Sequence, residues 1–139
     1  MATAREIMTG DATCVQEDQT VEDAARMMAE LDVGALPICG KDDRLKGMLT
    51  DRDIVVKVLA EGRDPAQTRT GELGQGKPVT IGADDSADLA LQTMAEHKVR
   101  RLPVIDGHQL IGVVSQADLA TNLDDQQVGA LVNAVSAAG

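Results

Sequence analysis

The chemistry this chain offers is concentrated in two short stretches. Residues 47–54 read GMLTDRDI and residues 112–119 read GVVSQADL, so that Gly47, Thr50 and Asp53 are answered by Gly112, Ser115 and Asp118. In each, a glycine and two apolar residues close a strand, and a hydroxyl followed three positions on by an aspartate opens a helix. Backbone N–H groups, a hydroxyl and a carboxylate are thereby gathered at a helix N-terminus, where the macrodipole favours negative charge. Such a place suits an anion and a sugar. It also has the spacing of a capping box, with Asp where Glu or Gln is usual, and both readings stand at this point. Duplication favours the first.

The other reactive residue types are few. Lys98, Arg100 and Arg101 form the dense basic cluster of an acidic chain, and their counterparts in the first stretch are Asp32, Gly34 and Ala35. That asymmetry points to one of the two places preferring an anion. Arg100 or Arg101 is suited to grip a phosphate bidentately, the alternative being an ion pair with a local carboxylate or a second copy. Arg52, beside Thr50, takes the same part or is simply exposed. His97 and His108 are the two histidines, expected near a helix end and in a loop, and Cys14 and Cys39 are the two cysteines. None of them has the i, i+4 or CxxC spacing of a specific metal site, so zinc is not expected beyond an incidental or intermolecular role for His97 and His108. There is no nucleophile elbow, no phosphate loop ending in Lys, and no carboxylate pair beyond the helix starts. The chain reads as no enzyme.

The elements that position these residues emerge from self-comparison. Met28 and Met94, Glu30 and Glu96, Val33 and Val99, Leu36 and Leu102, and Pro37 and Pro103 each lie 66 positions apart. From Gly47 and Gly112 onward the offset is 65, which puts a one-residue loss in the turn KDDR at residues 41–44, answered by DGHQ at residues 106–109. Ile7 likewise answers Leu73. Each copy reads as a short strand (residues 13–15, 79–81), a helix after Thr20 or Ser86, a Pro-containing strand (36–39, 102–105), a polar turn, a second strand (45–49, 110–114), and a helix after Thr50 or Ser115. This is a mixed α+β fold of two β-α-β-β-α halves, for which sequence repetition predicts pseudo-twofold symmetry. The domains are then residues 1–62, a linker and lead-in over 63–76 rich in glycine, residues 77–123, and a tail helix over 124–139 with Val128, Leu131, Val132 and Val135 at helical spacing.

Bulk properties narrow the partners. The chain has 139 residues, enough for two small halves with a real core, and 43% are hydrophobic although none is aromatic. The core is therefore aliphatic, and no ring is present to stack on a base. A net charge of −10 argues against nucleic acid or an anionic membrane as partner. No apolar run is long enough for a membrane span and no signal peptide is evident, so the expected location is the cytoplasm.

With the AREIM segment at residues 4–8, the LPIC and LPVI strands after Leu36 and Leu102, and the two glycine-to-aspartate stretches in place, the chain resembles a pair of CBS domains, the tandem arrangement called a Bateman module. The segments GALPIC (34–39), GMLTDRDIV (47–55) and EHKVRRLPVI (96–105) are similar to stand-alone members of the hypoxia and stress-response type. The resemblance implies a homodimer of pairs, an unidentified protein partner, and AMP, ATP or another adenosyl ligand in clefts between domains. It implies that Asp53 and Asp118 accept from ribose hydroxyls and that Thr50 and Ser115 contact phosphate or ribose. Backbone and apolar atoms near Val15 and Ile38, or Thr80 and Val104, would hold the base. For Cys14 and Cys39 two states stay open: reduced thiols, the default in cytoplasm, and a bridge, which the resemblance favours. The alternatives to nucleotide sensing are a stress-induced interaction protein with vestigial clefts and that disulfide, and a thiol or zinc redox sensor.

Overall fold

The structure is a computed structural model and describes residues 2–10, 13–74 and 78–136, without the side chains of residues 128, 131, 135 and 136. In chain order, a one-turn helix α1 (Ala4–Ile7) and a short strand β1 (Thr9–Gly10) come first. The first repeat comprises β2 (Val15–Gln16), α2 (Val21–Leu31), β3 (Ala35–Cys39), β4 (Leu45–Thr50) and α3, which opens as one α-turn at Asp51–Asp53 and continues as a π-helix over Ile54–Leu59. After a 3₁₀ turn at Thr70–Leu73, the second repeat comprises β5 (Ile81–Gly82), α4 (Ala87–His97), β6 (Arg101–Asp106), β7 (Gln109–Ser115) and α5 (Gln116–Ala120). Helix α6 (Asp125–Ser136) follows. The β-α-β-β-α order is the one the sequence predicts, twice.

Local chemistry explains most of these boundaries. Thr20 caps α2 by accepting from the Asp23 N–H at 3.1 Å while the Asp23 carboxylate accepts from the Thr20 N–H, and Ser86 caps α4 by accepting from the Leu89 N–H. Both helices end on a left-handed residue, Asp32 (φ 55°) and Lys98 (φ 56°). In the first repeat β3 lies between β2, parallel to it, and β4, antiparallel; in the second, β6 lies between β5 and β7 in the same senses. Pro37 and Pro103 sit in these central strands, where a missing N–H is normally excluded. They are tolerated because β2 and β5 pair only with the two residues beyond, Ile38 and Cys39 or Val104 and Ile105, leaving each proline a neighbour on one side alone. The one-residue loss falls in the hairpins, as expected: Cys39 is opposite Leu45, whereas Ile105 is opposite Leu110. The second hairpin turns on Gly107 at φ 67°.

The chain divides into two compact units, and the division is not the sequential one expected. One unit is Thr13–Pro78; the other joins Met1–Ala12 to Val79–Gly139. Each repeat is completed by a lead-in segment that the sequence assigns to the other copy. In the first-repeat unit, the N–H groups of Val21, Thr70 and Gly71 donate to the carbonyls of Thr68, Gln19 and Glu17. In the second-repeat unit, Ala87, Ala4 and Arg5 do the same to Ala2, Asp85 and Ala83, position for position. The description of residues 63–76 as a linker is thus corrected over its described part. Thr68 and Thr70 are buried, and the Thr70 hydroxyl donates to the Gln16 carbonyl at 2.8 Å. Gly76 lies outside the described residues. The reason is burial: Leu73 enters the core with Val15, Leu36, Ile38, Leu49 and Val58, while Ala4 and Ile7 enter the other with Ile81, Leu102, Val104, Val114 and Leu119. Helix α6 packs on α4 and α5 in the second-repeat unit, where Gln127 donates to Asp88 at 3.2 Å.

Candidate functional site

Strand β4 delivers Thr50 to the start of α3. Its hydroxyl accepts from the Asp53 N–H at 3.1 Å, and Asp53 Oδ2 accepts from the Thr50 N–H at 3.0 Å. Strand β7 delivers Ser115 to the start of α5 in the same way, with Asp118 N–H to Ser115 Oγ at 3.1 Å and Ser115 N–H to Asp118 Oδ2 at 2.8 Å. The capping reading is therefore realised in both copies. The cap by itself does not consume the groups, because a hydroxyl keeps its proton and a second lone pair, and the cap occupies only one carboxylate oxygen. A half-buried hydroxyl and carboxylate stand side by side at both strand ends.

The glycines of the two stretches do other work. Gly47 lies opposite Ile38 and Gly112 opposite Val104. A Cβ at Gly112 would sit 2.5 Å from Met8 Sδ and 2.7 Å from the Thr9 carbonyl oxygen, so this glycine admits β1 beside β7 and leaves no space there for a ligand.

The remaining expected residues fall into two groups. Val15, Ile38 and Val104 are fully buried as whole residues, so a base would meet only groups beside them; Thr80 is exposed just before the edge strand β5. Arg101 lies directly across the β6–β7 ladder from Ser115, and the Arg100 carbonyl accepts from the Gln116 N–H at 2.9 Å. In the first repeat Ala35 lies across from Thr50, and the Gly34 carbonyl accepts from Asp51. Among the described residues Arg52, Lys98, Arg100 and Arg101 have no ion-pair partner. The structure thus brings a free cation onto the ladder rung of Ser115 and none onto that of Thr50.

Two residues escaped the sequence reading although the i, i+4 rule and the repeat alignment would have found them. Lys57 reaches back one turn to Asp53 Oδ1 at 3.1 Å, and its counterpart is Asn122. Lys57 also lines, with Glu61, Arg63, Glu72, Leu73 and Gly74, an open depression of about 490 Å³. Both of its cations are engaged, Arg63 by Glu72 at 3.0 Å. The Arg69 N–H and then the Arg63 guanidinium hold the Glu72 carboxyl below its usual range. The depression offers an incoming anion no free charge.

Cys14 and Cys39 are joined in a disulfide with a Cα–Cα distance of 5.7 Å; Cys14 precedes Val15, and Cys39 lies opposite Gln16, one residue beyond the Val15–Ile38 rung. His97 ends α4 and His108 sits in the β6–β7 turn, both exposed. Among the described residues no three His, Cys, Asp or Glu side chains converge as a metal site. No described helix is long and apolar enough to cross a membrane.

Comparison with known proteins agrees with this geometry. The family model for the CBS domain matches residues 4–60 and 71–125. Hypoxic response protein 1 of Mycobacterium tuberculosis is 50% identical over 135 residues, covering 97% of this chain and 94% of that protein. A crystal structure of Hypoxic Response Protein I with two coordinated zinc ions superposes with a TM-score of 0.82 at 52% identity, over 88% of this chain and all of the other. CBSX2, solved in complex with AMP, shares the fold at 23% identity with a TM-score of 0.75, over 88% of this chain and 96% of its own. Two β-α-β-β-α repeats, two hydroxyl-aspartate helix starts and a lead-in before each have one common explanation, and the chain belongs to the CBS-domain proteins as a tandem CBS pair.

Proposed function

We propose that this CBS pair is a non-catalytic regulatory protein that senses an adenosyl nucleotide, such as AMP or ATP, and serves a hypoxia or stress response. The observation that carries the reading is the duplicated pair of Thr50 with Asp53 and Ser115 with Asp118, each capped yet retaining a hydroxyl proton and carboxylate lone pairs for a ribose diol. CBSX2 holds AMP on the same fold. In the absence of aromatic side chains the base is held by backbone near Val15 and Ile38 or Thr80 and Val104, and Arg52, Arg100 and Arg101 are the cations available to phosphate. The output passes to a protein partner. A homodimer in the cytoplasm fits the exposed Val55, Val56 and Leu59 of α3, at 55%, 45% and 54% exposure, which a second copy would cover. Neither nucleic acid nor membrane suits a net charge of −10.

Zinc is present in the related Hypoxic Response Protein I structure. The described residues of this chain do not fit a resident zinc within one copy: both thiols are spent in the disulfide and neither His97 nor His108 stands in a convergent group. A second reading, that of a stress-induced interaction protein or thiol sensor, draws on the Cys14–Cys39 bridge.

Thermal unfolding with and without millimolar AMP, ATP, NADH or S-adenosylmethionine separates the readings. A ligand that prefers the native state at 100 times its Kd stabilises it by about 2.7 kcal/mol. An upward shift with one of these compounds, lost in the Asp53→Ala, Asp118→Ala double variant, is the expected result. No shift with any of them, together with loss of stability in Cys14→Ser, Cys39→Ser, would favour the second reading.

A further inference from the structure

The two repeats offer the same hydroxyl and aspartate, yet their carboxylates are not equally available. Both oxygens of Asp53 are engaged, Oδ2 by the Thr50 N–H at 3.0 Å and Oδ1 by the Lys57 ammonium at 3.1 Å. At the counterpart of Lys57 stands Asn122. Its amide donates to the Asp118 backbone carbonyl at 2.7 Å and to Thr121 Oγ1 at 2.9 Å, not to the carboxylate. Asp118 Oδ1 has no partner among the described residues. A second difference runs the same way: Arg101 occupies the ladder rung of Ser115, whereas Ala35 occupies that of Thr50.

Resting on the adenosyl reading above, we infer that the two sites have diverged: the Ser115–Asp118 site takes a phosphorylated ribonucleoside, and Lys57 closes the Thr50–Asp53 site by standing where the sugar would bind. A ribose diol is met best by a carboxylate oxygen that no ammonium already holds, and Asp118 supplies one, with the unpaired Arg101 on the rung of Ser115 for a phosphate. In the first repeat Arg52 is an unpaired cation beside Thr50, but Lys57, 32% exposed and paired to a carboxylate 21% exposed, must be displaced before a diol is accepted, so the divergence rests on the Lys57 contact. Lys57 is a specificity-determining residue, and exchanging it with Asn122 should exchange the properties of the sites.

Isothermal titration of the full chain with AMP and, separately, adenosine tests this. The wild type is expected to bind one AMP per chain. Asp118→Asn, which keeps the Ser115 N–H bond, and Asn122→Lys should each weaken AMP at least tenfold. Arg101→Ala should weaken AMP more than adenosine. Lys57→Asn should raise the adenosine stoichiometry from one to two per chain. Two equal AMP sites in the wild type, or AMP affinity untouched by Asn122→Lys with stoichiometry untouched by Lys57→Asn, overturns the divergence and leaves the adenosyl reading intact. Absence of binding by both compounds in every variant overturns the adenosyl reading and this inference with it.

Discussion

Gly112 has a role that its motif does not reveal. Within GVVSQADL it is a residue of the closing strand, and the structure uses its missing side chain to seat Met8 and the Thr9 carbonyl. Met8 can shift but the β1 backbone can do so only by loosening its pairing with Val113 and Gly112. Gly112→Ala should therefore lower stability by about 1–3 kcal/mol in urea titration, the usual range for overpacking, without touching Ser115 or Asp118. An unchanged midpoint would mean that β1 is not held there. Thr50, Asp53, Ser115 and Asp118 were legible because their chemistry is local, spanning one helical turn. Lys57 was equally local and was passed over because a lysine on an exposed helix is ordinary until its partner is known. Arg101 was singled out by the repeat asymmetry, but only the β-ladder register puts it beside Ser115.

Elements were legible where hydrophobic period and caps agree. Helices α2 and α4, strands β3, β4, β6 and β7, and the DGHQ hairpin follow from spacing, from Thr20 and Ser86, and from Gly107. Two features were not. The π-helical course of α3 over Ile54–Leu59, with Ala60 N–H donating to Val55 O at 2.8 Å, leaves no periodic mark in six residues, although the β-branched run Ile54, Val55, Val56 is a poor α-former. The placement of residues 68–73 depends on contacts more than 50 positions away, which glycine content alone reads as linker. Thr70 decides that placement. Thr70→Val preserves its shape and removes one of the two donors to the Gln16 carbonyl, which keeps the Gln19 N–H at 3.0 Å, so the unfolding free energy should fall by about 0.5–1.5 kcal/mol. A fall below about 0.5 kcal/mol would show that water replaces the hydroxyl there.

At the scale of the molecule, the repeat provides its own control for the disulfide. Cys14 and Cys39 correspond to Thr80 and Ile105, and the second-repeat unit forms the equivalent two-rung pairing and the equivalent bond, Ala83 N–H to the Ile105 carbonyl at 3.0 Å, without a bridge. The bridge adds stability to a pairing that forms anyway. Closing a separation of 25 residues, it should contribute roughly 2–4 kcal/mol. Reduction with a dithiol, or Cys14→Ser with Cys39→Ser, should lower the unfolding midpoint while far-ultraviolet dichroism stays native; loss of the dichroism would make the bridge a requirement of folding. The exchange of lead-in segments bears on something else, the order in which the chain can be made. All the described partners of the Thr13–Pro78 unit have been synthesised once residue 74 is added, so that unit can close while the ribosome is still at work. Residues 2–10, although made before the whole Thr13–Pro78 unit, have no long-range partner among the described residues until β7 and the turn at residues 83–87 exist. A segment made ahead of one unit is thus settled only after that unit can already have closed.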